Sequence, residues 1–239
     1  MTKGGRYIFL EATDEEKAQA EMLAKGLDGK PKTYWRLEEL IAESPHFKRF
    51  KVYHEELIKF NVKINLVSKK SIYNADIVHF LDSFVSGQKI LEDSSSEIIY
   101  DLGSGNGFPG LIMAILDQNR KFVLVDSDNR KVEFLKYMAT KLALKNVAAH
   151  CADISKIKVN SINCAVSRGL GSLTKSLLLS NKSFTSGSSY YHLKGPLWPN
   201  ELGEIPSQLL TAWKPELLFD YQLPKDHGDR FVIKTKHSL

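Results

Sequence analysis

A chain of 239 residues with 43% hydrophobic residues and a formal charge of +5 has the composition of an ordinary globular protein, which excludes wholesale disorder. No apolar run reaches the roughly 18 residues a membrane helix needs, and Met1 to Glu16 lacks the apolar core of a secretory signal, so a cytoplasmic protein is expected. Cys151 and Cys164 have no metal-ligand spacing, so no metal centre is expected; both fall in apolar, strand-like segments and read as buried free thiols.

Taken in order, the chain opens with helices. Thr13 and Glu16 fit a capping box, and Ala18, Met22 and Leu23 continue at helical spacing to about Lys25. Gly26, Gly29 and Pro31 break that helix; a second fits Trp35 to Ala42, and Ser44 and Pro45 stop it. A third runs from His46 to Asn61, with Phe50, Tyr53, Leu57 and Phe60 on one stripe, and Ile77, Phe80, Leu81 and Phe84 repeat the pattern. These segments make a small helical lobe over residues 1–90, and the polar run Glu92 to Glu97 loops into an α/β domain over residues 91–239.

That domain starts with a short strand, Ile98 to Tyr100, followed by Asp101 and by glycines at alternate positions, Gly103, Gly105 and Gly107. Alternate glycines permit positive φ and leave little side-chain bulk over the backbone, and Pro109 suits the first turn of a following helix from Leu111 to Leu116. Strand, glycine turn and helix is how α/β folds bind nucleotides. Further strands fit Phe122 to Val125, Val147 to Cys151, Cys164 to Ser167 and Tyr190 to Leu193. Between them lie a helix from Arg130 to Lys145, stopped by Asn146, and one carrying Leu173, Leu177 and Leu178. A helix near Glu201 to Ala212 and two strands, Glu216 to Leu223 and Phe231 to Thr235, complete a mostly parallel seven-stranded sheet.

In open α/β sheets ligands sit beyond the carboxyl ends of the strands. Each of the first five strands delivers polar residues to that edge: Asp101 and the glycines, Asp126, Asp153, Ser167 with Arg168, and Lys194. Asp126 lies where an acid that reads ribose hydroxyls belongs. Asp101 stands just before the first glycine, where its charge would repel a pyrophosphate and favour an ammonium or sulfonium. Together with a glycine spacing that departs from G-x-G-x-x-G, this favours S-adenosylmethionine over a dinucleotide; the reading of Asp101 as a plain cap of the turn stays open. His79 and His192 read as structural histidines. The charge is uneven: residues 1–154 carry 22 basic and 22 acidic side chains, and residues 155–239 carry 11 and 6. A basic final third would suit a face that meets nucleic acid, although many basic proteins bind none.

From about Phe50 to Lys234 the chain resembles the bacterial small-subunit rRNA guanine-N7 methyltransferases, the RsmG family, formerly called glucose-inhibited division protein B. The resemblance rests on Asn61, Asn65 and Leu66; His79 with Leu81, Asp82 and Ser83; Asp101 to Gly110 with its Phe-Pro-Gly ending; Val125 to Ser127; Lys131 and Leu135; Ser167 with Arg168; Leu193 to Gly195; and Arg230 to Lys234. It implies a Rossmann-like class I AdoMet-dependent methyltransferase fold. It also implies that Gly103 and Phe108 line the methionine end of the cofactor, with Gly105 in the same loop, that Asp126 holds the ribose, and that Ala152 and Asp153 flank the adenine. Arg168, beside Ser167, would sit at the mouth of the target-base pocket, and Lys194 and Arg230 would meet rRNA phosphates. The chain departs from the family pattern at Cys151, Asn163 and Gly169, where Arg, Asp and Ala are usual, and at Phe60, where Trp is common.

Guanine N7 carries a lone pair and no proton, so methylation there needs alignment and electrostatics and no general base. The expected function is AdoMet-dependent methylation of guanine N7 in 16S rRNA, with rRNA or the small ribosomal subunit as partner and the protein acting as a monomer. An AdoMet enzyme acting on a small molecule or protein, and a methyltransferase-like RNA-binding domain without activity, are the alternatives.

Overall fold

The computed structural model describes residues 41, 43–224 and 227–238. The first two expected helices lie outside these residues except for Ile41, which is helical and buried. Helix α1 spans Phe47–Asn61 and buries Phe50, Tyr53 and Leu57 on the stripe that the sequence shows. The Asn61 side-chain oxygen then accepts the Leu66 and Val67 amides at 2.8 Å each, which turns the chain back toward the sheet. A π-helical turn, Asp76–Leu81, runs directly into α2, Asp82–Asp93.

The sheet comprises β1 (Ile98–Leu102), β2 (Lys121–Asp126), β3 (Val147–Cys151), β4 (Ile162–Arg168), β5 (Phe184–Lys194), β6 (Trp213–Gln222) and β7 (Asp229–His237). Their order is β3-β2-β1-β4-β5-β7-β6. Strands β1 to β5 are parallel, and β7 enters between β5 and β6, antiparallel to both. Crossing helices α3 (Gly110–Leu116), α4 (Asn129–Lys141) and α5 (Leu173–Ser180) cover it, and two short helices, α6 (Trp198–Gly203) and α7 (Ser207–Ala212), precede β6.

Side chains alternate across the sheet as a period of two requires. Leu124, Val166, Tyr191 and Val232 join one core with the lobe residues Phe50, Tyr53 and Phe80, while their neighbours Val125, Ala165, Tyr190 and Ile233 join a second core under α5 and α7. The helical lobe and one face of the sheet therefore share a single hydrophobic cluster. No helix among the described residues is long and apolar enough to cross a membrane.

Several boundaries differ from the sequence reading for identifiable reasons. Strand β1 runs two residues further, through Asp101 and Leu102. Strand β5 begins at Phe184, well before Tyr190, because Phe184 already pairs with Ile162 of β4; the polar Thr185 to Ser188 stretch then bulges out before pairing resumes at Ser189 opposite Cys164. Helix α4 stops at Lys141 because Ala143 turns left-handed at φ 53° and the Leu144 amide reaches back to the Ala139 carbonyl at 2.8 Å. Asn146 acts beyond that end: its amide nitrogen donates to the carbonyls of Ala114, Asp117 and Arg120 at 3.0–3.1 Å and fastens the loop before β2. The single helix expected at Glu201 to Ala212 is two, with Pro206 between them. Pro109 occupies the N-cap of α3, one residue ahead of its first turn. Cys164 is buried as expected, but Cys151 is exposed. The apolar segment that contains Cys151 is the edge strand β3, so its outer side has no covering layer.

Candidate active site

The carboxyl ends of the parallel strands open on a cavity of about 1250 Å³. It is lined from one side by Leu66 to His79 of the lobe and from the other by the β1–α3 loop, the ends of β2 and β4, and the start of β7. Ligand pockets typically measure about 300–1,000 Å³, so this volume has room for more than one small group.

Of the residues singled out by sequence, Gly103, Gly105, Phe108, Asp126, Ala152, Asp153, Arg168, Lys194 and Arg230 all line this cavity. Two lie behind its wall. Ser167 is 3% exposed, and Asp101 is 1% exposed. Asp101 Oδ2 accepts the Gly110 amide at 3.0 Å, while Oδ1 is buried without a partner. Burial raises the Asp101 pKa to about 7, against the opposing pull of the Gly110 N–H and the Arg168 charge. Asp101 therefore braces the start of α3 from beneath the loop, as the turn-cap reading has it, and still carries one unsatisfied oxygen.

The loop packs more tightly than a sequence of glycines suggests. Gly103 and Gly105 face the cavity with φ of 72° and 55°. Gly107, at φ 95°, turns instead toward the lobe, and a Cβ there would lie 2.5 Å from both the Tyr53 hydroxyl and Leu111 Cδ1. A Cβ at Gly110 would strike Leu124 and the Asp101 carboxylate. The Tyr53 hydroxyl donates to the Asn106 carbonyl, and its ring stacks on Phe108 at 5.0 Å and 13°.

At one end of the cavity, Asp126 offers a preset acceptor. Its Oδ2 receives the Gly105 amide at 2.8 Å and its Oδ1 the Asp128 amide at 2.9 Å, which fixes the carboxylate while each oxygen keeps a further lone pair. At 8% exposure it still reaches the cavity. Asp153 caps the turn after β3, accepting the Ser155 amide at 2.9 Å, and these bonds lower its pKa.

At the other end Arg168 is pinned. Its Nη1 donates to the Val78 carbonyl at 3.1 Å and to Asp82 Oδ2 at 3.0 Å, and its Nη2 to His79 Nδ1 at 2.8 Å. The guanidinium also lies 5.2 Å from the Phe108 ring centroid, and His79 stacks on the same ring at 5.5 Å. An arginine only donates, so His79 Nδ1 must be the bare nitrogen. Burial, and then the charges of Arg168 and Arg230, push the His79 pKa well down and keep the ring neutral.

His79, read from the sequence as structural, lines the cavity, and so do Asp82 and Tyr221, to which sequence reasoning gave no site role. The available signal is Asp82, an acid inside the apolar run from Ile77 to Phe84, since buried acids are rare without partners. His192, by contrast, is structural as expected: fully buried, it meets Thr235 Oγ1 at 3.0 Å, and burial lowers its pKa to about 3. Lys194 is occupied. Its ammonium pairs with Glu201 at 2.6 Å and donates to the Gly171 carbonyl, while Glu201 also accepts the Leu173 amide. Lys70 and Lys175 are exposed on the same rim, and Lys131 is half-buried there.

The positions that depart from the family pattern leave the cavity intact. Cys151 Sγ faces the Ser127 carbonyl at 3.6 Å, Asn163 is exposed and accepts a hydrogen bond from Thr185, and Gly169 adopts φ 69° with no atom within 4 Å of where a Cβ would stand.

The strand order, with its reversed β7, and a glycine loop next to a fixed carboxylate are those of a Rossmann-like, S-adenosylmethionine-dependent methyltransferase. The fixed Asp126 carboxylate and the cavity-facing glycines suit the nucleoside of that cofactor. Solved structures agree on the fold. A SAM-dependent methyltransferase from Aquifex aeolicus superposes with a TM-score of 0.51 at 18% identity, over 71% of this chain and 98% of that one. A precorrin-6y C5,15-methyltransferase from Geobacter metallireducens gives 0.50 at 14% identity, over 73% and 92%.

Residues 46–217 match the family model described as rRNA small subunit methyltransferase G. Ribosomal RNA small subunit methyltransferase G 3 of Bdellovibrio bacteriovorus is 42% identical over 208 residues, 86% of this chain and 94% of that protein. A ribosomal RNA small subunit methyltransferase G from Aeromonas salmonicida is 28% identical, over 77% of this chain and 85% of its own. The chain belongs to this rRNA methyltransferase family.

Proposed function

We propose that this chain transfers the methyl group of S-adenosylmethionine to N7 of a guanosine in 16S rRNA, acting as a monomer in the cytoplasm. The observation that carries the reading is the two-ended cavity: a fixed carboxylate and glycine amides at one end, a pinned guanidinium over an aromatic floor at the other, and basic residues around the rim.

In this reading Asp126 accepts the ribose hydroxyls, Ala152 and Asp153 flank the adenine, and Gly103, Gly105 and Phe108 enclose the methionine end, with Asp101 beneath them. Bound there, the cofactor supplies an electrophilic methyl on a sulfonium. Arg168, backed by Ser167, stands beside the incoming guanine, whose N7 lone pair needs no proton removed. That suits a wall in which His79 is neutral and its Nδ1 is already engaged by Arg168. The chain's contribution is alignment and field, which act without a general base. Arg230, Lys70, Lys131 and Lys175 meet phosphates at the rim; Lys194 joins them only by releasing Glu201. The target base is unpaired, because sequence-specific RNA recognition works mostly on loops.

The test is to incubate the purified protein with labelled S-adenosylmethionine and unmodified small subunits, and separately with deproteinised 16S rRNA. The rRNA is then probed by the strand cleavage to which 7-methylguanosine is susceptible. One new cleavage site is expected in at least one substrate. Label incorporated without such cleavage refutes N7 as the target atom, and no incorporation refutes the activity.

A further inference from the structure

Asp82 opens α2 at 3% exposure, in the apolar face that the lobe turns to the sheet. Three strands send a group to its carboxylate. Arg168 of β4 donates to Oδ2 at 3.0 Å, the Tyr221 hydroxyl of β6 donates to Oδ1 at 2.8 Å, and Arg230 Nε of β7 lies 3.6 Å from Oδ1. One buried acid thus answers two guanidiniums, and His79 on the other side of Arg168 contributes a lone pair and no charge.

The chemistry of the proposed reaction gives this arrangement a purpose. The methyl donor is a cation, its demethylated product S-adenosylhomocysteine is neutral, and the methylated purine inherits the positive charge. Arg168 lies over Phe108, the residue assigned to the methionine end, so a bare guanidinium there would repel the donor selectively.

We propose that Asp82 is a positioning residue that fixes Arg168 and Arg230 and cancels their field on the cationic donor. It thereby sets the preference of the site for S-adenosylmethionine over S-adenosylhomocysteine. This rests on the reading of the cavity as the methyl-donor site. The Tyr221 hydroxyl holds Oδ1, the oxygen that Arg230 approaches, and leaves Oδ2 to Arg168, which keeps the carboxylate between the two arginines.

The experiment is calorimetry of both ligands with the parent protein, Asp82→Asn and Arg168→Gln. Asparagine keeps an oxygen for Tyr221 and removes both the charge and the acceptor that Arg168 uses. In Asp82→Asn, S-adenosylmethionine should weaken about tenfold more than S-adenosylhomocysteine, the scale of a unit charge acting over about 10 Å at an effective dielectric of about 20. Arg168→Gln should shift the same ratio in the opposite direction, and the double variant Asp82→Asn with Arg168→Gln, which removes both members of the pair, should return it toward the parent value and carries the test if Asp82→Asn alone does not fold. A residue with a merely structural role would weaken both ligands equally, so an unchanged ratio in the single variants overturns the proposal. A parent protein that binds neither ligand overturns the site reading and the proposal with it.

Discussion

Burial of Asp101 has a measurable signature in the dependence of stability on pH. In the folded chain its pKa stands at about 7, chiefly through burial, whereas an unfolded chain releases the same proton near 3.9. The folded state thus retains a proton that the unfolded state has lost, and stability falls as pH rises through this window and levels off above it. From pH 5 to pH 8 the loss from this one group comes to about 2.5 kcal/mol. Asp101→Asn keeps an oxygen for the Gly110 amide and removes the titration. Its buried NH2 adds a destabilisation of about 1–3 kcal/mol that does not vary with pH. The difference in unfolding free energy between variant and parent should therefore move by about 2–3 kcal/mol in favour of the variant between pH 5 and pH 8. Urea unfolding of both proteins at pH 5, 6, 7 and 8 measures it, and the titrations common to both cancel in the difference. Parallel stability curves would refute the raised pKa of the buried carboxyl.

Asp126→Ala should weaken S-adenosylmethionine binding by about a hundredfold or more, from two lost hydrogen bonds to a charged acceptor, with the fold retained; calorimetry and circular dichroism read the two parts, and unchanged affinity removes Asp126 from the site. Asn146→Ala strips one amide from three carbonyls far from the cavity and should cost about 1–3 kcal/mol of stability while leaving cofactor affinity unaltered; denaturant unfolding and calorimetry would expose either part as wrong.

The parallel half of the sheet was legible because each buried strand is a short apolar run that ends in a polar residue at the same edge. Strand β5 escaped in part, since its first paired residue, Phe184, is cut off from Tyr190 by the polar bulge Thr185 to Ser188, which breaks the apolar run. The Cys151 segment misled in the opposite sense: apolar residues mark a strand, but only the order of strands tells an edge from an interior. Within the site, residues that follow directly from strand ends, such as Asp126 and Arg168, could be found from sequence. Asp82 and Tyr221 could not be joined to Arg168, because three separate elements converge there and no local spacing encodes that meeting. Asp101 was legible in position but not in orientation; whether a carboxylate points into a cavity or under a loop depends on packing around Gly110.

The reversed strand β7 carries a consequence for how the molecule comes into being. Synthesised after β6, it nonetheless fills the slot between β5 and β6. Until it emerges from the ribosome, the pairing edge of β5 is bare, β6 has no neighbour to join it to the sheet, and Arg230 is absent from the Asp82 cluster. The glycine loop and Asp126 belong to contiguous β1, α3 and β2, but the Arg168 end of the cavity is complete, with Arg230, only when the last strand docks. A product that ended before β7 would therefore lack Arg230 and the strand that joins β6 to β5, although Arg168 and its partners Val78, His79 and Asp82 would all be present in its sequence.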